Sequence, residues 1–592
     1  MASYAAQASK LVQVTSPPVA LSLILFVYER ALVPIYASGP TNYMLDWVVL
    51  GGILIAVVQP FRLSLAVNAL VAAVLLTAAP NATYWAAVLT SRRKDPVWGP
   101  TYTHLSVLFP LVVALVSFFR TGHSSLRPPQ EYRPMYAALS YLATSYFAKT
   151  VWPQVSSLNE ISDSTVYLSL AGIFYATWIS SLQVQPKKST KKGEPTKSTW
   201  WTREARVAVV GLFFAVWWAL HPKLASPVLP HPLKEPYDHA AFPLRVLSSV
   251  QSITGLISVA EIPPPPGEED SEEIMHSVRY LRASHSILGG VWTDQKVMVI
   301  DDQKPVFDSE GKPLGDSIYA AFVLQEAVRF VQSPSSGKSR KFTNGLIIGL
   351  GTGISATAFQ RHGISTTIVE IDPAVYDAAR NYFGLPDPGP GKVFLEDARG
   401  WVERQRASIE SGETQTRFDF VVHDCFSGGG VPQHIFTSEF WEDVKKILTP
   451  DGIVVVNFAG IVKSEASRLV VFTLLKSFGH CRAFHDLLDK MSPEQYESDF
   501  INIAVFCAQT PLSFRTARTS DFLGSPLRRH VLESLSRREL DLEVIRSSAD
   551  KAEEQYILTD ARNPLGKLQE EQGHHHWSVM RDVLADKYWE IY

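Results

Sequence analysis

Residues 345–373 read GLIIGLGTGISATAFQRHGISTTIVEIDP. A short apolar run closed by glycine reads as a buried strand, and the segments after it read as a Gly-rich turn, a helix and a second strand ending in acids. Gly349, Gly351 and Gly353 permit positive φ and let the backbone approach a ligand, while the following helix presents its N-terminal amides. Glu370, with Asp372 just beyond it, ends the second strand, where a carboxylate can bind both ribose hydroxyls. Strand, turn, helix, strand and acid in register predict a nucleoside-binding α/β domain.

The register continues downstream. KVFLEDARGW (392–401) places Asp397 after another short apolar run, suited to an adenine amino group. FDFVVHDCF (418–426) supplies a fourth strand ending at Asp424, and SEFWEDVKKILTPDGIVVVNF (438–458) reads as an amphipathic helix, a Pro-Asp-Gly turn and a fifth buried strand. Short apolar strands alternating with helices predict a parallel, Rossmann-like sheet over 336–510, with ligands at the carboxyl ends of its strands. Every acid named so far falls at such an end.

Upstream, SITGLISVAE (252–261) and SHSILGGVWTD (284–294) have the β-branched, Gly-punctuated pattern of hairpin strands, and IYAAFVLQEAVRFV (318–331) that of a helix, so 240–335 reads as a small β-rich subdomain. EIPPPPGEEDSEE (261–273) is too polar and Pro-rich for a core and reads as a solvated linker. Further upstream, apolar runs recur at about 19–37, 44–60, 62–80, 102–119, 134–151, 164–182 and 205–220. Since about 20 apolar residues cross a bilayer, 1–230 is predicted to be a polytopic membrane domain of about seven helices. Glu29 and Arg30 lie inside the first run, and the structural reading is that the neighbours neutralise each other or snorkel. The tail, 511–592, is polar and helix-like, with SPLRRHVLESLSRRELDLEVI (525–545) as its clearest amphipathic stretch. ILTDARNPLGKL (557–568) and DKYWEIY (586–592) are expected to pack back on the nucleoside-binding domain.

In order, GLGTG, VEID, EDAR, the strand end at Asp424 and LTPDGIVVVN resemble a class I S-adenosylmethionine-type transferase, and specifically the spermidine synthase family. DCFSGGGVPQHIFTSEF (424–440) is similar to the branch that fuses a membrane segment to a spermidine-synthase-like domain. The resemblance implies that Gly349, Gly351 and Gly353 surround the methionine part of the cofactor, Glu370 the ribose and Asp397 the adenine, with Asp372 also cofactor-binding and Asp424 close to the transferred group. The cofactor is then S-adenosylmethionine or its decarboxylated form. Aminopropyltransferases of that family carry a second Asp where this chain has Ser427, and an Asp in the Gly-rich turn where it has Thr352. Their Tyr-Gln pair is replaced by His285-Ser286, and the Tyr-His-Glu run falls on Tyr319, Ala320 and Ala321. A polyamine is a string of cations that needs acids around it, so the losses favour methyl transfer, which needs in-line placement more than a strong base. Aminopropyl transfer to a polyamine and a non-catalytic nucleoside-binding or scaffold role stay as alternatives. Asp424, Ser427 and His285 are the candidate catalytic residues.

The remaining motifs are weaker. His434 and His285 titrate near neutrality in principle and could orient an acceptor, although a single histidine in a turn is more often structural. GHHHW (573–577) lacks Cys or acid partners at ligand spacing and reads as an exposed loop with no metal. Three cysteines, Cys425, Cys481 and Cys507, argue against a disulfide framework. Cys425 beside Asp424 reads as a small core residue rather than a nucleophile. The net charge of -3 gives no electrostatic reason for nucleic-acid binding. The expected partners are the lipid bilayer, a small-molecule or lipid-like acceptor and, as an open question, a second copy of the chain. Unpaired cysteines and the cofactor place the transferase domain in the cytosol. The basic clusters Arg120, Arg127 and Arg133 and Lys187–Lys197 point the other way if 205–220 crosses fully.

Overall fold

The computed structural model describes residues 2–58, 63–122, 130–180, 203–264, 275–333, 340–426, 428–487 and 489–592. They form two compact units, Met1–His231 with Trp589–Ile591, and Pro232–Tyr588 with Tyr592. Ser427, Arg127, Lys187–Lys197 and most of the 261–273 linker lie outside the described residues.

The first unit is helical: α1 (Ala2–Tyr36), α2 (Ser38–Tyr43), α3 (Leu45–Val58), α4 (Leu65–Ser91), α5 (Trp98–Thr103), α6 (Phe109–Gly122), α7 (Arg133–Tyr146), α8 (Asp163–Ser180) and α9 (Arg203–Leu224). Helix therefore forms at each apolar run. Among the described residues four stretches, Pro18–Tyr36, Ser38–Val58, Leu65–Ser91 and Trp98–Thr121, are long and apolar enough to cross a membrane.

The polar groups inside this unit tie helices together. Arg30 does not turn to Glu29. Its Nε donates to Asp163 Oδ1 at 2.7 Å, and its other nitrogens donate to the carbonyls of Leu158 and Ile161. His104 sits between the Tyr28 hydroxyl at 2.9 Å and the Thr41 carbonyl at 3.0 Å, and Lys149 donates to Asp46 at 2.8 Å. Among apolar helices a polar side chain does best with a partner inside the protein, and these have one. Residues 589–591 belong here too, which corrects the expectation that the aromatic end packs wholly on the transferase. The Glu590 carboxylate takes two hydrogen bonds of 2.7 Å from Arg92, and its carbonyl takes one of 2.9 Å from Tyr84.

The second unit opens with an antiparallel sheet in sequence order: β1 (Tyr237–Asp238), β2 (Arg245–Ser252), β3 (Gly255–Ile262), β4 (Val278–Ala283) and β5 (Ser286–Trp292). Glu261 and Ile262, assigned to the linker by composition, end β3. Glu261 is buried there and accepts from Arg279 Nε of β4 at 2.7 Å, and an ion pair removes the objection to burying an acid. A small hairpin, β6 (Val306–Phe307) and β7 (Pro313–Leu314), and the helix α10 (Ala321–Gln325) lead to the main sheet.

That sheet contains β8 (Asn344–Ile348), β9 (Ser365–Glu370), β10 (Val393–Leu395), β11 (Phe418–His423), β12 (Leu448–Ile461), β13 (His480–His485), β14 (Phe500–Ala508) and β15 (Glu539–Leu540), in the order 10-9-8-11-12-14-13-15. Strands β10 to β12 are parallel, and β14 runs antiparallel between β12 and β13. Parallel strands are buried on both faces, which explains why GLII and FVV read as unbroken apolar runs. The order reverses at β8, and this switch point is where ligands bind in such sheets. The first seven strands of this order, β10 to β13 across the sheet with β14 antiparallel among them, make the Rossmann-like arrangement of class I methyltransferases and spermidine synthases. The Pro-Asp-Gly segment, expected as a turn, lies within β12, where pairing with β11 jumps from Phe418↔Leu448 to Phe420↔Ile453.

Helices α11 (Ile354–Arg361), α12 (Pro373–Tyr382), α13 (Ala398–Glu410), α14 (Ser438–Ile447) and α15 (Glu465–Phe478) follow the strands. Beyond them come α16 (Gln495–Ser498), α17 (Pro526–Glu533), α18 (Leu542–Arg546) and α19 (Leu565–Val583). Cys481 and Cys507 are register partners on β13 and β14 and are joined by a disulfide, which corrects the reading of three unpaired thiols. Counting cysteines could not show this, because β-pairing brings together two residues separated by 26 positions.

Candidate active site

The glycine turn links β8 to α11. Gly349, Gly351 and Gly353 all adopt positive φ, at 80°, 54° and 74°. At Gly349 the need is also steric, since a Cβ there would lie 2.1 Å from the Asp424 carbonyl of the next strand. A Cβ on Gly351 would lie 2.9 Å from the Leu288 carbonyl of β5, so the small sheet abuts the turn.

Glu370 ends β9 beside this turn. Its Oε2 accepts the Leu350 amide at 2.8 Å and its Oε1 the Asp372 amide at 2.9 Å. Burial nevertheless pushes the carboxyl up to about 7, the backbone donors pulling against it. Two amides occupy only part of a carboxylate's accepting capacity, which leaves sites for ribose hydroxyls. Ile371, next in sequence, is 40% exposed and puts apolar surface at the same edge. Inside the turn, the Thr352 hydroxyl is buried without a partner. An open acceptor, an apolar platform and an orphaned hydroxyl at a sheet switch point fit the ribose, base and amino-acid parts of S-adenosylmethionine.

Asp372 does other work. Its carboxylate accepts from Ser252 Oγ at 2.5 Å, Thr254 Oγ1 at 2.6 Å, the Thr254 amide at 3.0 Å and, as the cap of α12, the Ala374 amide at 2.9 Å. These four donors fill its accepting capacity, so its place is to clamp the β2–β3 hairpin onto the main sheet rather than to touch a ligand. Asp397 caps α13 through the Arg399 amide at 2.9 Å and meets His434 Nε2 at 2.7 Å; the two side chains are 43% and 49% exposed. His434 is thus brought to the end of β10, beside Asp397, and orients that carboxylate.

Asp424 follows β11, and its amide donates to the Ile348 carbonyl at 2.8 Å. Its carboxylate is flanked by two carboxamides: Gln325 Nε2 of α10 donates to Oδ2 at 2.6 Å and Asn457 Nδ2 of β12 to Oδ1 at 2.8 Å. Burial raises the carboxyl above its usual range against the pull of these donors. Asn457 is in place because β12 runs parallel to β11, with His423 opposite Val456. Neither carboxamide stood out in the sequence, although each is a polar residue closing an apolar run, the same signal that marked Asp424. Next to it, Cys425 Sγ donates to the Ile348 carbonyl at 3.4 Å, and burial holds the thiol well above its usual range, so it is no nucleophile.

His285 lies in the buried β4–β5 turn and stacks on Trp577 of α19, ring centroids 5.8 Å apart at 27°. That contact belongs to packing. Trp577 also corrects the reading of GHHHW as an exposed loop: the motif lies within α19, with Gly573, His576 and Trp577 buried. The helix approaches the glycine loop after Asp424 so closely that a Cβ on Gly429, where φ is 90°, would lie 2.7 Å from the Gly573 Cα. The His576 ring meets Phe426 and Phe500 at 5.3 and 5.9 Å, and burial lowers its pKa to about 4, so it is neutral. Among the described residues no cluster of His, Cys, Asp and Glu could hold a metal.

Comparison with known proteins adds four findings. The spermine/spermidine synthase domain family matches residues 333–470. An N-terminal histidine N-methyltransferase from Emericella nidulans is 29% identical over 522 residues, 86% of this chain and 84% of that protein. A polyamine aminopropyltransferase from Vibrio vulnificus is 36% identical over 114 residues, 19% of this chain and 36% of that enzyme. Among solved structures, a probable spermidine synthase from Corynebacterium glutamicum aligns with 52% of this chain and 94% of its own at 17% identity and a TM-score of 0.34. Residues 333–470, which hold the glycine turn, Glu370, Asp397 and Asp424, are the stretch that resembles the spermine/spermidine synthase domain family.

Proposed function

We propose that this chain is a membrane-borne S-adenosylmethionine-dependent methyltransferase whose acceptor is the amino group of an N-terminal histidine. The observation that carries the reading is the similarity to the Emericella nidulans N-terminal histidine N-methyltransferase, which runs through both the helical and the transferase units. The site supports it. When bound, S-adenosylmethionine supplies a methyl group on a cationic sulfur, and Glu370, Thr352 and the glycine turn would hold it. Asp424 accepts the proton that the amine sheds as its nitrogen gains the methyl, and the raised carboxyl suits it to that task.

Aminopropyl transfer from decarboxylated S-adenosylmethionine to a polyamine is the second reading, favoured by the family match over 333–470. One experiment separates the two. The full chain in lipid nanodiscs is given methyl-labelled S-adenosylmethionine with a peptide that begins with histidine, and in parallel decarboxylated S-adenosylmethionine with putrescine. Label on the peptide amine is expected. A polyamine product instead would overturn the methyltransferase reading, and no product in either arm would leave a nucleoside-binding scaffold.

The side of the membrane also changes. A cytosolic transferase was expected from the cofactor and from unpaired cysteines; of these two grounds the second falls, since Cys481 and Cys507 are joined and disulfides persist in oxidising compartments. If the helices at all seven apolar runs cross, Arg120, Arg133 and Lys187–Lys197 share the cytosolic side and the transferase unit emerges on the other. We therefore place it away from the cytosol. A glycosylation acceptor inserted in the exposed Ser411–Glu413 turn is expected to be modified in microsomes, and an unmodified acceptor would return the unit to the cytosol.

A further inference from the structure

The junction of α10, β11 and β12 holds more hydrogen-bonding capacity than the protein itself uses. Gln325 and Asn457 each direct an NH2 group at Asp424, and each is then left with a carbonyl oxygen, Gln325 Oε1 and Asn457 Oδ1, that is buried and without a partner. The two residues are 0% and 4% exposed. Burying an unpaired carbonyl is unfavourable, and two of them on side chains that grip one carboxylate call for a donor from outside the protein. The charge count is as informative. Asp424 is the one acid in this trio, and the oxygens beside it are neutral. A polyamine is a row of ammonium groups, each of which needs its own counter-charge when taken out of water. A trio with one carboxylate serves one amine.

Resting on the methyl-transfer reading, we propose that Gln325, Asn457 and Asp424 form a three-residue cradle that selects a monoamine flanked by a neutral N–H donor. Asp424 takes the amine, and the two carbonyls read the neighbouring donor, which in an N-terminal histidine is the imidazole N–H. The carboxamides therefore determine specificity, doing with neutral oxygens what a second acid would do for a dication.

The test uses the full chain loaded with S-adenosylhomocysteine and calorimetric binding of two peptides that differ only in a first residue of His or Phe. The native protein is expected to prefer His by about 10- to 100-fold, because Phe leaves a buried carbonyl unpaired. Asn457→Leu and Gln325→Leu are expected to bring the ratio below about threefold while keeping affinity for S-adenosylhomocysteine, which reports an intact fold. Equal native affinity for the two peptides, or an unchanged ratio in the variants, would overturn the cradle. Should both leucine variants lose the nucleoside, Asn457→Asp decides by charge: at least about tenfold tighter putrescine binding is expected from the added carboxylate, and no gain overturns the proposal. Methyl transfer is recorded alongside. Selective binding without transfer would refute the methyltransferase reading and leave the cradle standing, whereas transfer without selectivity would refute the cradle alone.

Discussion

Glu370, buried, and Asp424, half-buried, are both carboxylates held by amide donors, yet they are poised for different work. At Glu370 the folded value of about 7 lies above the unfolded 4.5, so folding favours the protonated form. That contribution to stability is complete below about 4.5 and is lost as pH rises through about 7. Binding a ribose through its hydroxyls calls instead for the ionised form. Affinity for S-adenosylmethionine should therefore rise between about pH 6 and 8, and Glu370→Gln should weaken binding and flatten that rise in calorimetric titrations. Asp424→Asn should leave that affinity nearly intact and lower kcat by about 10²- to 10⁴-fold in a labelled-methyl assay, the range for losing a positioned base. Both acids were legible in the sequence, because a charge closing an unbroken apolar run has few explanations other than a strand end. Asp372 was misread for a physical reason: its hydroxyl and amide donors, Ser252 and Thr254, stand 120 and 118 positions away. Gln325 and Asn457 escaped notice because a neutral amide in an apolar run looks like a tolerated core residue.

The parallel strands were readable as elements, since burial on both faces leaves a continuous apolar signature. The helix α19 was not. Its centre, Gly-His-His-His, has low helix propensity, and tertiary packing, against Gly429 and Gly430 and against His285, overrides it. That contact makes the loop's glycines an adaptation to a neighbouring helix. Gly429→Ala should collide with Gly573 and strain a positive φ, costing about 1–3 kcal/mol. Trp577→Ala should cost about 3–5 kcal/mol by leaving a cavity against His285. Chemical denaturation of the detergent-solubilised chain checks both, and an Ala at 429 that unfolds with the native midpoint would refute the packing role.

Across the whole molecule, a helical unit and a transferase unit were separable in the sequence because their compositions differ. The membership of residues 589–591 was not, because the fit of Glu590 to Arg92 and Tyr84 depends on three-dimensional placement alone. The Cys481–Cys507 link escaped for a similar reason. If it forms in the cell, Cys481→Ser should lower stability by roughly 2–4 kcal/mol under oxidising conditions and leave the reduced protein unchanged, measured as the shift in denaturation midpoint with and without reductant.

The Arg92–Glu590 pair also governs the order of assembly. Its partners are 498 positions apart, a separation that makes the contact late and slow to find. The helices of the first unit are all translated before the transferase begins, yet their set of contacts stays open until the transferase has been made. The helical unit would thus form early and settle late, and an arrest anywhere in the transferase would leave Arg92 without its carboxylate.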